Sequence, residues 1–272
     1  MLKVAIFTSD DDVWFLGAWE KALEKLSSRY AFSGIYIFPD QVAGRRGFAK
    51  FVWCLRVFGW RDCLILGAYA WKRRFFKQGV HTWTGLAKKY GLALNRAADP
   101  NTAEVAAWVK RNGIDILLIS VSQILKGDIL KAPKLGILNK HAALLPSARG
   151  ALPFFWAIAH GLPLGVSFHL VTERVDDGPL IAQWRYAKRD DASLSLVRYY
   201  ADVYEAFPAM LEKAMQKWVS GARIPLGAGA GDSYFGWPGK KDMEAFWKCG
   251  GRIAEWNDLS YKPGAYFEEV GV

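Results

Sequence analysis

The chain has 272 residues, enough for one large domain or one domain with an appendage, and chains of this size bury about three quarters of their unfolded surface. Hydrophobic residues make up 52% and charged residues 23%, with 13 Trp, 11 Tyr and 16 Phe, which excludes disordered, collagenous and low-complexity classes. The formal charge is +10, and three cysteines (Cys54, Cys63, Cys249) without paired metal spacing point to reduced thiols in a cytosolic compartment and to no structural metal.

The opening run MLKVAIFTSD is short and closes on Thr8, Ser9 and Asp10, the pattern of a first strand rather than of a secretion signal. Further strands are predicted at Gly34 to Phe38, Asp115 to Val121, Gly136 to Asn139, Gly165 to Val171 and Leu180 to Tyr186, each rich in Ile, Val, Leu or aromatics. Helices are predicted at Val13 to Ser27, through a basic aromatic stretch, at Trp83 to Tyr90, at Thr102 to Arg111 with Thr102 as N-cap and Gly113 as stop, and at Ala192 to Val219. Short strands alternating with helices are the signature of an α/β fold, a Rossmann-like, mostly parallel twisted sheet flanked by helices. A catalytic domain is placed over 1–190, with a C-terminal helix and small extension over 191–272 reached through a glycine-rich linker, Gly221 to Gly231. The longest uncharged apolar runs are nine residues, against the roughly 20 that a spanning helix needs, so no membrane crossing is expected.

The positive charge is concentrated. Between Arg45 and Lys77 stand nine basic residues against Asp62 alone, a local +8, interleaved with Phe48, Phe51, Trp53, Phe58, Trp60, Tyr69, Trp71, Phe75 and Phe76. Three readings are open: helices packed on the domain with basic stems reaching water, amphipathic helices on an anionic lipid surface, or a nucleic-acid surface. The lipid reading would make the protein cytoplasmic with peripheral contact at the inner membrane surface through 45–77.

The chemistry-bearing stretch starts where the strand at Gly136 to Asn139 ends: Asn139-Lys140-His141, then Leu144-Leu145-Pro146, Arg149-Gly150 and Trp156. Asn139 and His141, two apart on an extended segment, project to one side. A neutral imidazole can take a proton from an attacking amine and a carboxamide can donate to an oxyanion, two functions that acyl transfer requires. Asp176-Asp177-Gly178-Pro179 follows, and a carboxylate there could orient His141. His81 and His160 read as structural, and His169 as a buried, satisfied histidine inside a strand. From the residues alone, a structural role for each remains the stronger reading.

Asn-x-His, Leu-Leu-Pro, Arg-Gly, Trp and Asp-x-Gly-Pro in this order and spacing resemble the formyltransferase family that uses 10-formyltetrahydrofolate. The resemblance is close over Ile114 to Gln183 and general before it. It implies an enzyme with Asn139, His141 and Asp176 as catalytic residues, and it implies donor-binding turns at Gln123, Ile124 and Leu125 and at Val171, Thr172 and Glu173. In that mechanism a primary amine attacks the formyl carbon, His141 receives the proton, Asn139 donates to the oxyanion and Asp176 holds the geometry.

The family's acceptors are initiator methionyl-tRNA, glycinamide ribonucleotide and amino sugars. The segment Gly221 to Val272 carries six basic and seven acidic residues, a poor surface for tRNA, whose phosphates dominate affinity. Thr8-Ser9-Asp10-Asp11-Asp12 replaces a glycine-rich phosphate cradle with three carboxylates, which also suit a helix N-terminus. An amino sugar, nucleotide- or lipid-linked, in surface polysaccharide or glycolipid synthesis is therefore the expected partner. Ser233-Tyr234-Phe235-Gly236-Trp237-Pro238 is similar to the C-terminal segments of sugar-type members, its aromatics either stacking on a sugar or base or packing back on the domain. The alternatives are a methionyl-tRNA or glycinamide ribonucleotide formyltransferase, a formyltetrahydrofolate hydrolase and a non-catalytic binding protein of the same fold.

Overall fold

Strands that are apolar throughout need cover on both faces, and the chain supplies it with helices. A computed structural model describes residues 1–76, 78–187, 194–226 and 232–271. In chain order the elements are β1 (Lys3–Ser9), α1 (Phe15–Leu26), β2 (Ala31–Phe38), α2 (Gly47–Phe58), α3 (Trp60–Phe76), α4 (Trp83–Tyr90), β3 (Ala93–Arg96), α5 (Ala103–Arg111), β4 (Ile116–Ser120) and β5 (Gly136–His141). They continue with β6 (Arg149–Gly150), α6 (Pro153–His160), β7 (Gly165–Leu170), β8 (Leu180–Tyr186), α7 (Leu196–Val219), β9 (Tyr234–Phe235), α8 (Lys240–Lys248) and β10 (Phe267–Val270).

Eight strands form one sheet in the order β10-β8-β7-β5-β4-β1-β2-β3, and β6 pairs with β9 separately. The half from β3 to β5 is parallel, while β7, β8 and β10 join antiparallel. The order of the parallel strands reverses between β1 and β4, so a crevice opens beyond their carboxyl ends, where ligands of open α/β sheets bind. There Ser122 N–H donates to Ser9 Oγ at 3.0 Å, and the two hydroxyls lie 3.2 Å apart.

One core layer, with α1, α6 and α7, includes Trp19, Phe154, Tyr199 and Phe207; the opposite layer, with α5, includes Phe7, Phe38, Val109 and Ile129. Thr102 Oγ1 accepts from Val105 N–H and caps α5 as the sequence predicts. Asp11 Oδ1 accepts from the N–H groups of Val13 and Trp14 at 2.8 and 2.9 Å, so one of the three carboxylates serves the entry to α1. The basic aromatic stretch forms two helices, split at Gly59, whose φ of +89° is left-handed.

The chain after Gly221 holds more regular structure than the sequence patterns indicate: α8 packs on α6 and α2, and β10 extends the sheet along β8. Lys77, residues 188–193, which include the start of the predicted last helix, and 227–231 in the predicted linker lie outside the described residues. Among the described residues no helix is long and apolar enough to cross a membrane, and no cluster of three or more His, Cys, Asp or Glu stands ready for a metal.

Candidate active site

Asn139 and His141 stand at the carboxyl end of β5 and point to the same side because side chains alternate along a strand. Across the antiparallel ladder Asn139 is directly opposite His169 of β7, and Asn139 Nδ2 lies 3.1 Å from His169 Nε2. The loop between β7 and β8 then returns Asp176 to the pair: its Oδ2 is 3.4 Å from His141 Nδ1, and its Oδ1 is 3.3 Å from both Asn139 Nδ2 and His169 Nε2. The three sequence-predicted catalytic residues therefore meet, and His169 is a fourth member. It is buried as expected, but it also faces the others.

The intervening motif residues hold this group from behind. Ser167 Oγ donates to Ala143 O at 2.7 Å and accepts from Leu145 N–H at 3.0 Å, while Gln183 Nε2 donates to Leu145 O at 2.8 Å, so the Leu-Leu-Pro loop is fixed to β7 and β8. That loop delivers Ala148 O to His141 Nε2 at 2.8 Å and Gly150 N–H to Asp176 Oδ2 at 3.0 Å. Buried Arg149 pairs with Asp177 at 2.9 Å and Asp232 at 3.0 Å, tying the loop to the Asp-Asp-Gly-Pro turn and to the tail. Asp176 itself has φ +49°, a left-handed backbone that Asp tolerates better than most residues.

Hydrogen-bond roles follow from the acceptors. A carbonyl can only accept, so the Ala148 contact puts the proton of His141 on Nε2 and leaves Nδ1 as the free base. The 3.4 Å to Asp176 is longer than the about 2.7–2.9 Å of a charge-assisted bond, in keeping with an unprotonated Nδ1. Burial pushes the His141 pKa below its ordinary 6.5, outweighing the pull of Asp176. Burial alone would raise Asp176, but His141, His169 and the Gly150 N–H together hold its carboxyl well below the usual range. His169 Nδ1 lies 3.0 Å from Leu170 O, which can only accept, so Nδ1 carries a proton and Nε2 faces Asn139 and Asp176. Asn139 Nδ2 thus has both His169 Nε2 and Asp176 Oδ1 within hydrogen-bond distance on one side.

These groups stand in the wall of a cavity of 480 Å³ at the strand ends. Gln123, Ile124 and Leu125 line it, as do Val171, Thr172 and Glu173, so both predicted donor-binding turns are brought to it. Asn101 holds the first turn, donating to Ile124 O at 3.0 Å and accepting from Lys126 N–H at 2.7 Å. Gln123 Nε2 donates to Pro39 O, while its Oε1 is buried without a partner among the described residues. Tyr234 and Trp237 of the tail line the cavity with partly exposed rings, whereas Phe235 packs back on Trp156 at 4.6 Å between ring centres. Phe235 therefore packs back on the domain, while Tyr234 and Trp237 stand at the cavity.

Lys140 is the residue that sequence reasoning passes over. It faces away from Asn139 and His141, with Nζ 3.2 Å from Tyr204 OH and 4.2 Å from the centre of that ring, at the cavity wall formed by Phe15, Tyr200 and Tyr204. Burial brings its pKa down to about 7. Its parity opposite Asn139 is visible in the sequence; its enclosure by α7 is not.

An open, Rossmann-like α/β sheet thus carries an Asn, His and Asp group at its switch-point crevice. Residues 77–208 match the family model described as formyl transferase. Among curated proteins it is similar to the methionyl-tRNA formyltransferase of Sorangium cellulosum, 39% identical over 98 residues, 35% of this chain and 32% of that protein. Its likeness to the Myxococcus xanthus methionyl-tRNA formyltransferase is 32% over 144 residues, 52% of this chain and 45% of that protein. The chain thus spans from about a third to under half of the length of these relatives. Among solved structures, a sugar N-formyltransferase from a Shewanella species shares the fold with a TM-score of 0.57 at 14% identity, covering 92% of this chain and 88% of that one.

Proposed function

We propose that the protein is an N-formyltransferase that moves the formyl group of 10-formyltetrahydrofolate to a primary amine of a nucleotide- or lipid-linked amino sugar. The observation that carries this reading is the meeting of His141, Asn139 and Asp176 from separate parts of the chain in the wall of one cavity.

The donor suits the cavity in two respects. The turns at Gln123 to Leu125 and Val171 to Glu173 offer backbone groups along its lining, and the unpartnered Gln123 Oε1 is an acceptor for an N–H of a heterocycle. In the transfer step the acceptor nitrogen forms a bond to the formyl carbon, and Asn139 donates an N–H to the oxyanion. His141 Nδ1 takes the amine proton, becoming an imidazolium between Ala148 O and the Asp176 carboxylate. The bond from the formyl carbon to the donor nitrogen then breaks, and the proton returns to that nitrogen, giving a formamide and tetrahydrofolate.

An amino sugar is favoured by the near-balanced charge after Gly221, by the carboxylates where a phosphate cradle would lie, and by Tyr234 and Trp237 at the cavity. The Shewanella sugar N-formyltransferase, which shares the fold over most of both chains, agrees with that choice. A methionyl-tRNA acceptor is the second reading, supported by the curated relatives of the matched segment. Tetrahydrofolate release with a panel of nucleotide-linked amino sugars, glycinamide ribonucleotide, initiator methionyl-tRNA and no acceptor tests these readings. Release dependent on an amino sugar is expected; release dependent on tRNA or independent of any amine would replace this assignment.

A further inference from the structure

The helical pair α2 and α3 presents its apolar residues outward. Phe48 is 79% exposed, Phe51 52%, Trp60 74%, Trp71 57%, Phe75 62% and Phe76 69%. These are not scattered positions. Phe48 and Phe51 are one turn apart on α2, with ring centres at 6.4 Å, and Trp60, Leu64, Trp71 and Phe75 recur at helical spacing on α3. The inward side of α3 is supplied separately by Asp62, Ile65 and Tyr69, which are buried. The outward stripe is therefore extra to what folding uses. Isolated exposed rings need no explanation, but a run of them over two consecutive helices marks a contact surface.

The charge around the stripe identifies the partner. Lys50, Arg61 and Arg74 are matched by Asp40, by Asp62 and Glu255, and by Asp12. Arg45, Arg46, Arg56, Lys72 and Arg73 have no carboxylate within 4 Å among the described residues. Exposed Phe and Trp next to uncompensated Arg and Lys suit an anionic lipid bilayer, whose headgroups take the cations while the rings enter the interfacial region. Single-stranded nucleic acid would also take cations and rings, and it is one of the outcomes the test below distinguishes.

We infer that the α2–α3 face docks on an anionic membrane surface. The pair is joined to the cavity by two ring contacts. Trp53 of α2 meets cavity-lining Trp237 at 5.7 Å, and Tyr69 of α3 stacks at 5.2 Å on Trp14, which in turn contacts Tyr204. Docking therefore places the cavity wall beside the lipid surface. It does not depend on the chemistry proposed above.

Co-sedimentation of the full chain with phosphatidylcholine vesicles, with and without phosphatidylglycerol, at low and high salt is the test. The anionic vesicles should carry the protein down at low salt and less at high salt. Binding should fall about tenfold or more in Phe48→Ser with Phe51→Ser, and in Arg45→Glu with Arg56→Glu. All four positions are exposed, and circular dichroism checks that the variants fold. Failure to sediment with anionic vesicles at low salt would overturn the inference. So would a dimer that these serine changes dissociate in the absence of vesicle binding, or oligonucleotide binding in its place.

Discussion

His141 and Asp176 come together across 35 positions of sequence with Nδ1 and Oδ2 at 3.4 Å, while the opposite nitrogen of the ring is committed to Ala148 O. The carboxylate thus faces the only ring atom able to accept a proton. Its effect should be small before transfer and large when the ring is charged.

Replacing Asp176 by Asn separates that charge from the geometry. Asn is among the residues that tolerate a left-handed backbone such as φ +49°, and its carbonyl can still accept from Gly150 N–H. Single-turnover transfer should fall about 100-fold or more with a nearly unchanged melting temperature, since the imidazolium loses its counter-charge. A variant with undiminished transfer would remove Asp176 from the mechanism.

Gly178 is required by space. A Cβ there would lie 1.8 Å from Leu170 O, a backbone atom of β7 that cannot move without shifting the ladder beside Asn139 and His169. Gly178→Ala should cost about 2 kcal/mol or more in chemical denaturation and lower transfer, because the turn that carries Asp176 must open.

Lys140 should impose a pH dependence on stability. Its ordinary pKa is 10.5 and burial lowers it to about 7, so between those values the unfolded chain holds a proton that the folded chain has released. Stability from this group is present above 10.5 and lost as pH falls toward 7, with a slope approaching about 1.4 kcal/mol per pH unit. Lys140→Met should flatten the denaturation midpoint over that range and raise it most near neutral pH. Parallel curves for the two proteins would contradict the assignment.

Much of this fold is readable from local pattern. The β1 and β4 segments carry the apolar runs Val4 to Phe7 and Ile116 to Ile119, α4 spans Trp83–Tyr90 as predicted, and Thr102 caps α5, because each is fixed by neighbours in sequence. The elements that escape are edge or tail pieces. β3 is only four residues long, and β10 has the sequence Phe-Glu-Glu-Val; pairing with β2 and β8, not intrinsic pattern, makes them strands. In the site, parity along β5 reveals Asn139 and His141. His169 joins them only through the register with β7, and Lys140 is enclosed only once α7 covers the sheet; neither fact is local.

The proposed chemistry stands or falls with His141 as the base for formyl transfer. The deciding measurement is single-turnover transfer from 10-formyltetrahydrofolate, followed against pH for the wild-type protein and His141→Ala. The wild type should show an acid limb below pH 6.5, because burial lowers the imidazole. The variant should lose about 100-fold or more in rate with donor binding retained. Near wild-type turnover with the acid limb unchanged in His141→Ala would show that another group takes the proton.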